Sequence, residues 1–276
     1  MNGKQVRIAR LLNAKSGKSV IIPVDHGVIL GAINGLTDPV TVLEKLIELK
    51  IDATLVGTGL GKVTEHLFER SGAPARVLTS DYPLLSTVPG GNEVGTEDAL
   101  IGDVEFALRG GYDAVKVILM WGLEREKQLR NIKMVADLGH QCDRWGIPLM
   151  VEPMLWGDSI PAERKSDPEL IEHAARIALE IGADILKIPY TGDKQGFAEL
   201  VKRFRVPVMV LGGPKMHSHR DLLQVARDSM DAGAVSIVFG RNVWQDPAME
   251  QIVKALQAIV HQGESVEKAA SQFGLQ

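Results

Sequence analysis

The feature that most constrains this chain is a recurrence: a short apolar run, a turn, then a helical pattern, repeated along its length. The runs are Ser19 to Val24, Ala53 to Gly57, Arg76 to Thr79, Ala114 to Met120, Pro148 to Val151, Ala183 to Ile188, Val206 to Leu211 and Ala234 to Phe239. Each is short, rich in β-branched or aliphatic residues and bounded by turn formers, which predicts a strand. Continuous apolar runs, rather than alternation, mark strands covered on both faces. Strands alternating with helices imply a parallel sheet. Eight such units in 276 residues predict an α/β fold, a single (β/α)8 TIM barrel. No Pro- or Ser-rich linker interrupts the chain, so residues 1–276 read as one domain with a short N-terminal helix and a C-terminal helical extension. A doubly wound open sheet is the competing architecture, but no Gly-x-Gly-x-x-Gly follows the first strand.

The helical patterns carry their own punctuation. A leading helix is expected over Lys4 to Ala14, and one over Pro39 to Leu49 with Asp38 as cap and Pro39 at its first position. Further helices are expected over Gly61 to Ser71 and over Glu97 to Arg109, the latter capped by Thr96 after a loop through Pro89-Gly90-Gly91. Glu124 to Trp145 reads as a long helix ended by Gly146, and Pro168 to Ile181 as one capped by Asp167. Phe197 to Phe204, Asp221 to Ala232, Pro247 to His261 and Ser265 to Phe273 complete the set.

Composition removes several function classes. The formal net charge of -4 gives no basic footprint for nucleic acid. No apolar run approaches the ~18 residues that span a bilayer. Met1 to Arg10 is polar and mixed, unlike a signal peptide. The single cysteine, Cys142, has no intramolecular disulfide partner, which fits a reducing compartment. These features predict a cytoplasmic protein.

In a barrel of this kind the active site lies at the C-terminal ends of the strands. That rule nominates Asp25 and His26 after the first strand, Lys116 within the fourth and Glu152 after the fifth. It adds Lys187 and Tyr190 on the sixth, Lys215 after the seventh and Arg241 after the eighth. If the sixth strand alternates faces, Ala183, Ile185 and Lys187 share one side. An inward lysine there loses water, which disfavours its charged form and makes it a nucleophile towards carbonyls. The plainer alternative is a lysine whose head escapes to solvent. Asp25 would serve proton transfer or cap a turn. His26 would act directly or simply hydrogen-bond in place. Lys116 would repel the Lys187 charge or pair with Asp25 or Glu152. Trp121 and Trp156 would wall a pocket or pack against loops. His217 and His219 have no third ligand at convincing spacing, so no metal site and no cofactor are expected.

Gly212-Gly213 follows the seventh strand and Gly240-Arg241 the eighth, where barrels commonly hold a phosphate. Backbone N–H groups uncrowded by side chains cradle an anion, and Arg241 adds a forked donor. The alternative is that these glycines only permit sharp turns.

Asp25-His26-Gly27, Lys187-Ile188-Pro189-Tyr190-Thr191-Gly192-Asp193, Gly212-Gly213-Pro214-Lys215 and Gly240-Arg241-Asn242-Val243-Trp244-Gln245 stand in order. Together they resemble the archaeal-type class I fructose-bisphosphate aldolase group, with its aminodideoxyheptulosonate synthase and autoinducer-2 thiolase-like relatives. The likeness runs from about Val20 to Val260. It implies a Schiff base on Lys187, Asp25 as its acid/base or electrostatic partner, and substrate phosphate at Gly212, Gly213, Gly240 and Arg241 with Lys215 nearby. It also implies a homo-oligomer.

One segment departs from that group. Its aldolases and heptulosonate synthases carry Tyr-Pro-Arg-Gly after the fifth strand, where this chain has Glu152-Pro153-Met154-Leu155-Trp156-Gly157. Another group must then move the proton, with Glu152 first and His26 or Tyr190 behind it. The expected activity is aldol cleavage or formation on a phosphorylated ketose-like substrate. Thiolase- or transaldol-type transfer, a metal-free phosphosugar isomerase and a non-catalytic sugar-phosphate sensor are the competing readings.

Overall fold

The computed structural model describes residues 3–83 and 98–275. Its strands are β1 (Ser19–Ile21), β2 (Ala53–Val56), β3 (Ala75–Thr79), β4 (Asp81–Pro83), β5 (Asp98–Leu100), β6 (Ala114–Met120), β7 (Leu149–Met154), β8 (Ile185–Pro189), β9 (Val208–Leu211) and β10 (Ser236–Val238). Eight of them close a barrel in the order β1-β10-β9-β8-β7-β6-β3-β2, every neighbouring pair parallel. The pair β4 and β5 stands apart as a small antiparallel sheet. The eight predicted strands are the eight barrel strands. All seven residues of β6 are buried, as expected of a strand covered on both faces.

Inside the barrel, Ile21, Leu55, Val77, Met150, Ile185, Met209 and Val238 form an apolar floor, closed below by Ile8 and Leu11 of the N-terminal helix Gly3–Leu11. That helix is anchored by Lys4, which is buried and bonds to Asp184 (2.7 Å) and to Asp143. A second core lies between the strands and the surrounding helices. The predicted caps hold at several helix starts. Asp38 accepts from Thr41 N ahead of Pro39–Glu48, and Asp167 from Glu169 N ahead of Pro168–Glu180. Gly146, at φ +67°, ends the helix Arg125–Trp145 in the left-handed conformation that glycine adopts without strain.

The chain after β3 differs from expectation. The helix predicted from Glu97 begins only at Val104 and ends at Arg109, because Asp98–Leu100 pairs with Asp81–Pro83 and Asp103 supplies the cap, accepting from Phe106 N at 2.7 Å. Thr96 and Pro89-Gly90-Gly91 lie outside the described residues. The Gly61 to Ser71 pattern resolves into Thr58–Val63 and a single 3-10 turn at Glu65–Leu67. Short helices not predicted from the sequence, His26–Leu30 and Arg241–Trp244, follow β1 and β10. Among the described residues no helix is long and apolar enough to cross a membrane.

Candidate active site

Strand register sets the depth of the site. Met150 on β7 stands beside Ile185 on β8, so two residues further on Glu152 and Lys187 sit one layer above the apolar floor. Lys116 pairs in register with Met150, and Ile118 with Glu152. These side chains open into a cavity of about 180 Å³ lined also by Asp25, His26, Met154, Trp156, Gly212, Gly213, Gly240 and Arg241. A larger recess of about 530 Å³ lies against Arg76, Phe106 and Tyr112 and holds none of the strand-end groups.

Lys187, 7% exposed, is not a lone amine in an apolar wall: its Nζ lies 2.7 Å from Glu152 Oε1. Glu152 Oε2 lies 3.1 Å from Lys116 Nζ, so one carboxylate bridges two ammonium groups. Of the two roles open to Lys116, the structure supplies the ion pair, with Asp81 Oδ1 as its second partner at 3.5 Å. Asp81 is fully buried and also accepts from Ile118 N at 2.5 Å. Asp25, 6% exposed, precedes the helix His26–Leu30 but makes no side-chain cap. Instead its Oδ2 accepts from Thr79 Oγ1 at 2.6 Å, and its Oδ1 lies 3.5 Å from His26 Nδ1.

Six ionisable groups are therefore packed together: three carboxylates, two amines and the His26 imidazole. Burial alone would raise the pKa of Asp25, but the hydrogen bond and charge of His26, with the charges of Lys116 and Lys187, outweigh it and hold Asp25 well below the usual carboxylate range. Glu152 is lowered in the same way, burial being overcome by Lys187 and Lys116. Burial would lower Lys116, yet Asp81, Glu152 and Asp25 together raise it, so this amine stays charged. Asp98 moves the other way: burial and the neighbouring Asp81 carboxylate, opposed by Lys116, push it up to about 8.

The glycine loops form the opposite wall. A Cβ on Gly240 would lie 2.6 Å from His26 Cε1, so this close approach requires glycine. Gly213 has φ +63°, again a glycine conformation. Arg241 Nη2 donates to Gly213 O (3.0 Å), while Arg241 Nε is buried without a partner among the described residues. Asn242 ties the two loops, donating to Gly212 O (3.3 Å) and Pro214 O (3.1 Å) and accepting from Met216 N (2.7 Å).

Not every predicted residue reaches this cavity. Tyr190 turns its ring edge onto Phe197 of the helix Lys194–Phe204, centroids 5.3 Å apart, and does not line the cavity. Lys215 Nζ sits 3.5 Å from Gln245 O and 3.7 Å from Asp246 Oδ2, in a separate recess with His217 and His219. Of the two tryptophans, Trp156 walls the cavity and Trp121 packs on His173. Thr79 and Asp81 were missed. The stretch Thr79-Ser80-Asp81 closes the third predicted strand, so the strand-end rule that found Asp25 applies to it equally.

Residues 19–246 match the DeoC/LacD family aldolase profile. The chain is 31% identical over 273 residues to 2-amino-3,7-dideoxy-D-threo-hept-6-ulosonate synthase of Halobacterium salinarum, covering 99% of this chain and 97% of the relative. It is 33% identical over 280 residues to the corresponding synthase 1 of Archaeoglobus fulgidus, again covering 99% and 97%. Among solved structures, an archaeal fructose 1,6-bisphosphate aldolase superimposes with a TM-score of 0.81 at 28% identity, over 94% of this chain and 99% of that one. Another, with its catalytic lysine bound covalently to the carbinolamine intermediate of the substrate, gives a TM-score of 0.79 at 27% identity, over 93% and 98%. The match runs from the first barrel strand to beyond the last, and the chain belongs to the DeoC/LacD family of aldolases, a carbon–carbon lyase.

Proposed function

We propose that this chain is a class I aldolase in which Lys187 forms a Schiff base with a phosphorylated ketose-like substrate and Glu152 moves the protons. The observation that carries this reading is the 2.7 Å contact between a buried amine and a buried carboxylate at the base of the strand-end cavity. At that distance Glu152 can take a proton from Lys187 directly, leaving a neutral amine to attack the ketone. The resulting carbinolamine hydroxyl takes the proton back from Glu152 and departs as water, leaving an iminium ion. The iminium withdraws electrons, so the C3–C4 bond breaks as the C4 hydroxyl gives its proton to Glu152 and the aldehyde leaves. The enamine then recovers a proton at C3, and water cleaves the iminium to free the ketone and the amine. Run backwards, the same steps form the bond.

Asp25, held by Thr79, places a second carboxylate facing the developing positive charge and stabilises it electrostatically. Lys116 keeps Glu152 oriented and ionised between turns of the cycle. The backbone around Gly212, Gly213 and Gly240, with Arg241, receives the phosphate and supplies binding energy for orientation. The tyrosine of the related aldolases is replaced in this reading by Glu152 itself. The chain is read as one domain, working in the cytoplasm as a homo-oligomer. Replacing Lys187 by methionine tests the assignment: turnover of phosphorylated ketoses is lost while the circular dichroism spectrum stays native. Retained turnover moves the Schiff base to another amine.

A further inference from the structure

We infer that the recess on the outer side of β3 is a second ligand site. It fits a small organic monocarboxylate whose carboxylate sits on Arg76 and whose apolar body lies against Phe106 and Tyr112. This site is separate from Lys187 and stands or falls without the Schiff base. Ala75 and Val77 pack into the barrel floor, so Arg76 between them points outward to the helix layer. There the helices Thr58–Val63 and Val104–Arg109, with Tyr112, wall a cavity of about 530 Å³. That volume lies within the ~300–1,000 Å³ of small-molecule sites.

Arg76 is 7% exposed. A guanidinium stays charged at any working pH, and a buried charge is costly unless it is paired. Lys4, Lys116 and Lys187, the other buried cations among the described residues, each have a carboxylate within 3.1 Å. Arg76 has no carboxylate at ion-pair distance among the described residues. Its Nη2 donates to Gly110 O, and its other guanidinium nitrogens have no hydrogen-bond partner among those residues. Asp113 is engaged elsewhere: Oδ2 accepts from the Arg76 backbone N–H at 3.4 Å, and Oδ1 lies 3.3 Å from Arg10. The guanidinium carbon lies 4.6 Å from the Phe68 ring centroid and 4.7 Å from that of Tyr112. These contacts favour the cation but supply no negative charge. The unpaired N–H groups suit the planar, two-oxygen edge of a carboxylate.

The rim favours a single negative charge on the ligand. Lys62 and Arg109 stand there with Glu65, Asp103 and Glu105, all of them exposed. Glu105 faces Arg109 at 3.8 Å, Asp103 Oδ1 accepts from Phe106 N at 2.7 Å, and Lys62 Nζ lies 5.5 Å from the Phe106 ring centroid. Solvent screens these exposed charges, whereas Arg76 is shielded from it. One anionic charge neutralises the buried guanidinium. A second, as on a phosphate dianion, meets a rim with more acids than bases. The Phe106 and Tyr112 rings, centroids 6.2 Å apart, give the rest of the ligand an apolar wall.

The full chain is titrated calorimetrically with 3-phenylpropionate, with its uncharged amide 3-phenylpropanamide and with inorganic phosphate. Hydrogen exchange is followed by mass spectrometry in the presence of each. The carboxylate is expected to bind about 10–100-fold more tightly than the amide, the usual worth of a hydrogen bond to a charged group. It is expected to protect Thr58–Val63 and Val104–Arg109 from exchange, and Arg76→Met is expected to abolish its advantage over the amide. If circular dichroism shows that variant unfolded, the wild-type exchange pattern decides alone. No binding of 3-phenylpropionate, equal binding of the amide, or protection confined to the strand-end loops around Gly212 and Gly240 overturns the site. Phosphate that protects the same two helices more strongly than 3-phenylpropionate overturns the assignment of a monocarboxylate.

Discussion

Glu152 holds Lys187 at 2.7 Å through one carboxylate oxygen and Lys116 at 3.1 Å through the other. A single acid from the fifth barrel strand thus connects the proposed nucleophile to a permanently paired amine and through it to Asp81. Removing its charge while keeping its shape separates chemistry from packing. Glu152→Gln is expected to lower kcat by about 10²–10⁴-fold, the usual range for a general acid–base group. It is also expected to lower the melting temperature, because two buried ammonium groups lose a partner. Steady-state kinetics and a thermal melt of the same preparation check both, and an unchanged kcat removes Glu152 from the proton path.

Lys116 and Asp81 are both essentially solvent-free, at 1% and 0% exposure. Lys116→Met leaves the Asp81 carboxylate buried without its amine, at a cost of about 3–5 kcal/mol. Asp81→Asn added to Lys116→Met is expected to recover part of that loss, since it removes the stranded charge. Urea unfolding of the single and double variants measures the coupling, and strictly additive losses would mean that the pair does not interact.

Arg241 bonds to Gly213 O and keeps a second nitrogen buried without a partner among the described residues, in a wall made otherwise of glycine loops. Arg241→Ala is expected to raise KM for phosphorylated ketones by about 10–100-fold, as loss of a hydrogen bond to a charged group costs about 1.5–3 kcal/mol. Unphosphorylated analogues should be little affected. An equal loss on both classes places the phosphate elsewhere.

Asp98 supplies a pH test with a definite sign. Its pKa rises from 3.8 to about 8 on folding, through burial and the Asp81 charge. Between those values the native state holds a proton that the unfolded chain has released, so stability falls as pH rises through that window. Asp98→Asn is expected to remove much of that fall, so that the variant melts higher than wild type at pH 9 and is little changed near pH 4. Thermal melts across pH check it, and a wild-type profile flat over this range would contradict the shift.

The barrel was legible because each strand is an apolar run with its own turn, a signal carried locally. Lys187, Glu152 and Asp25 were legible because barrel geometry sends strand ends to one mouth. What the strand-end rule does not encode is the direction of a side chain beyond the strand. Tyr190 and Lys215 stand one and four residues past their strands, where backbone turns carry them to Phe197 and Asp246. The bridging role of Glu152 depends on register between β6, β7 and β8, a long-range property absent from any single run. The β4–β5 pairing is long-range too, and it holds Asp98–Leu100 as a strand where a helix was locally plausible.

The most direct test is where borohydride fixes a phosphorylated ketone. Reduction in the presence of dihydroxyacetone phosphate, followed by peptide mass spectrometry, should find one added ketone-derived mass on the peptide bearing Lys187 and none on that bearing Lys116. A label on Lys116, or none on either peptide while the protein turns over substrate, would contradict the assignment.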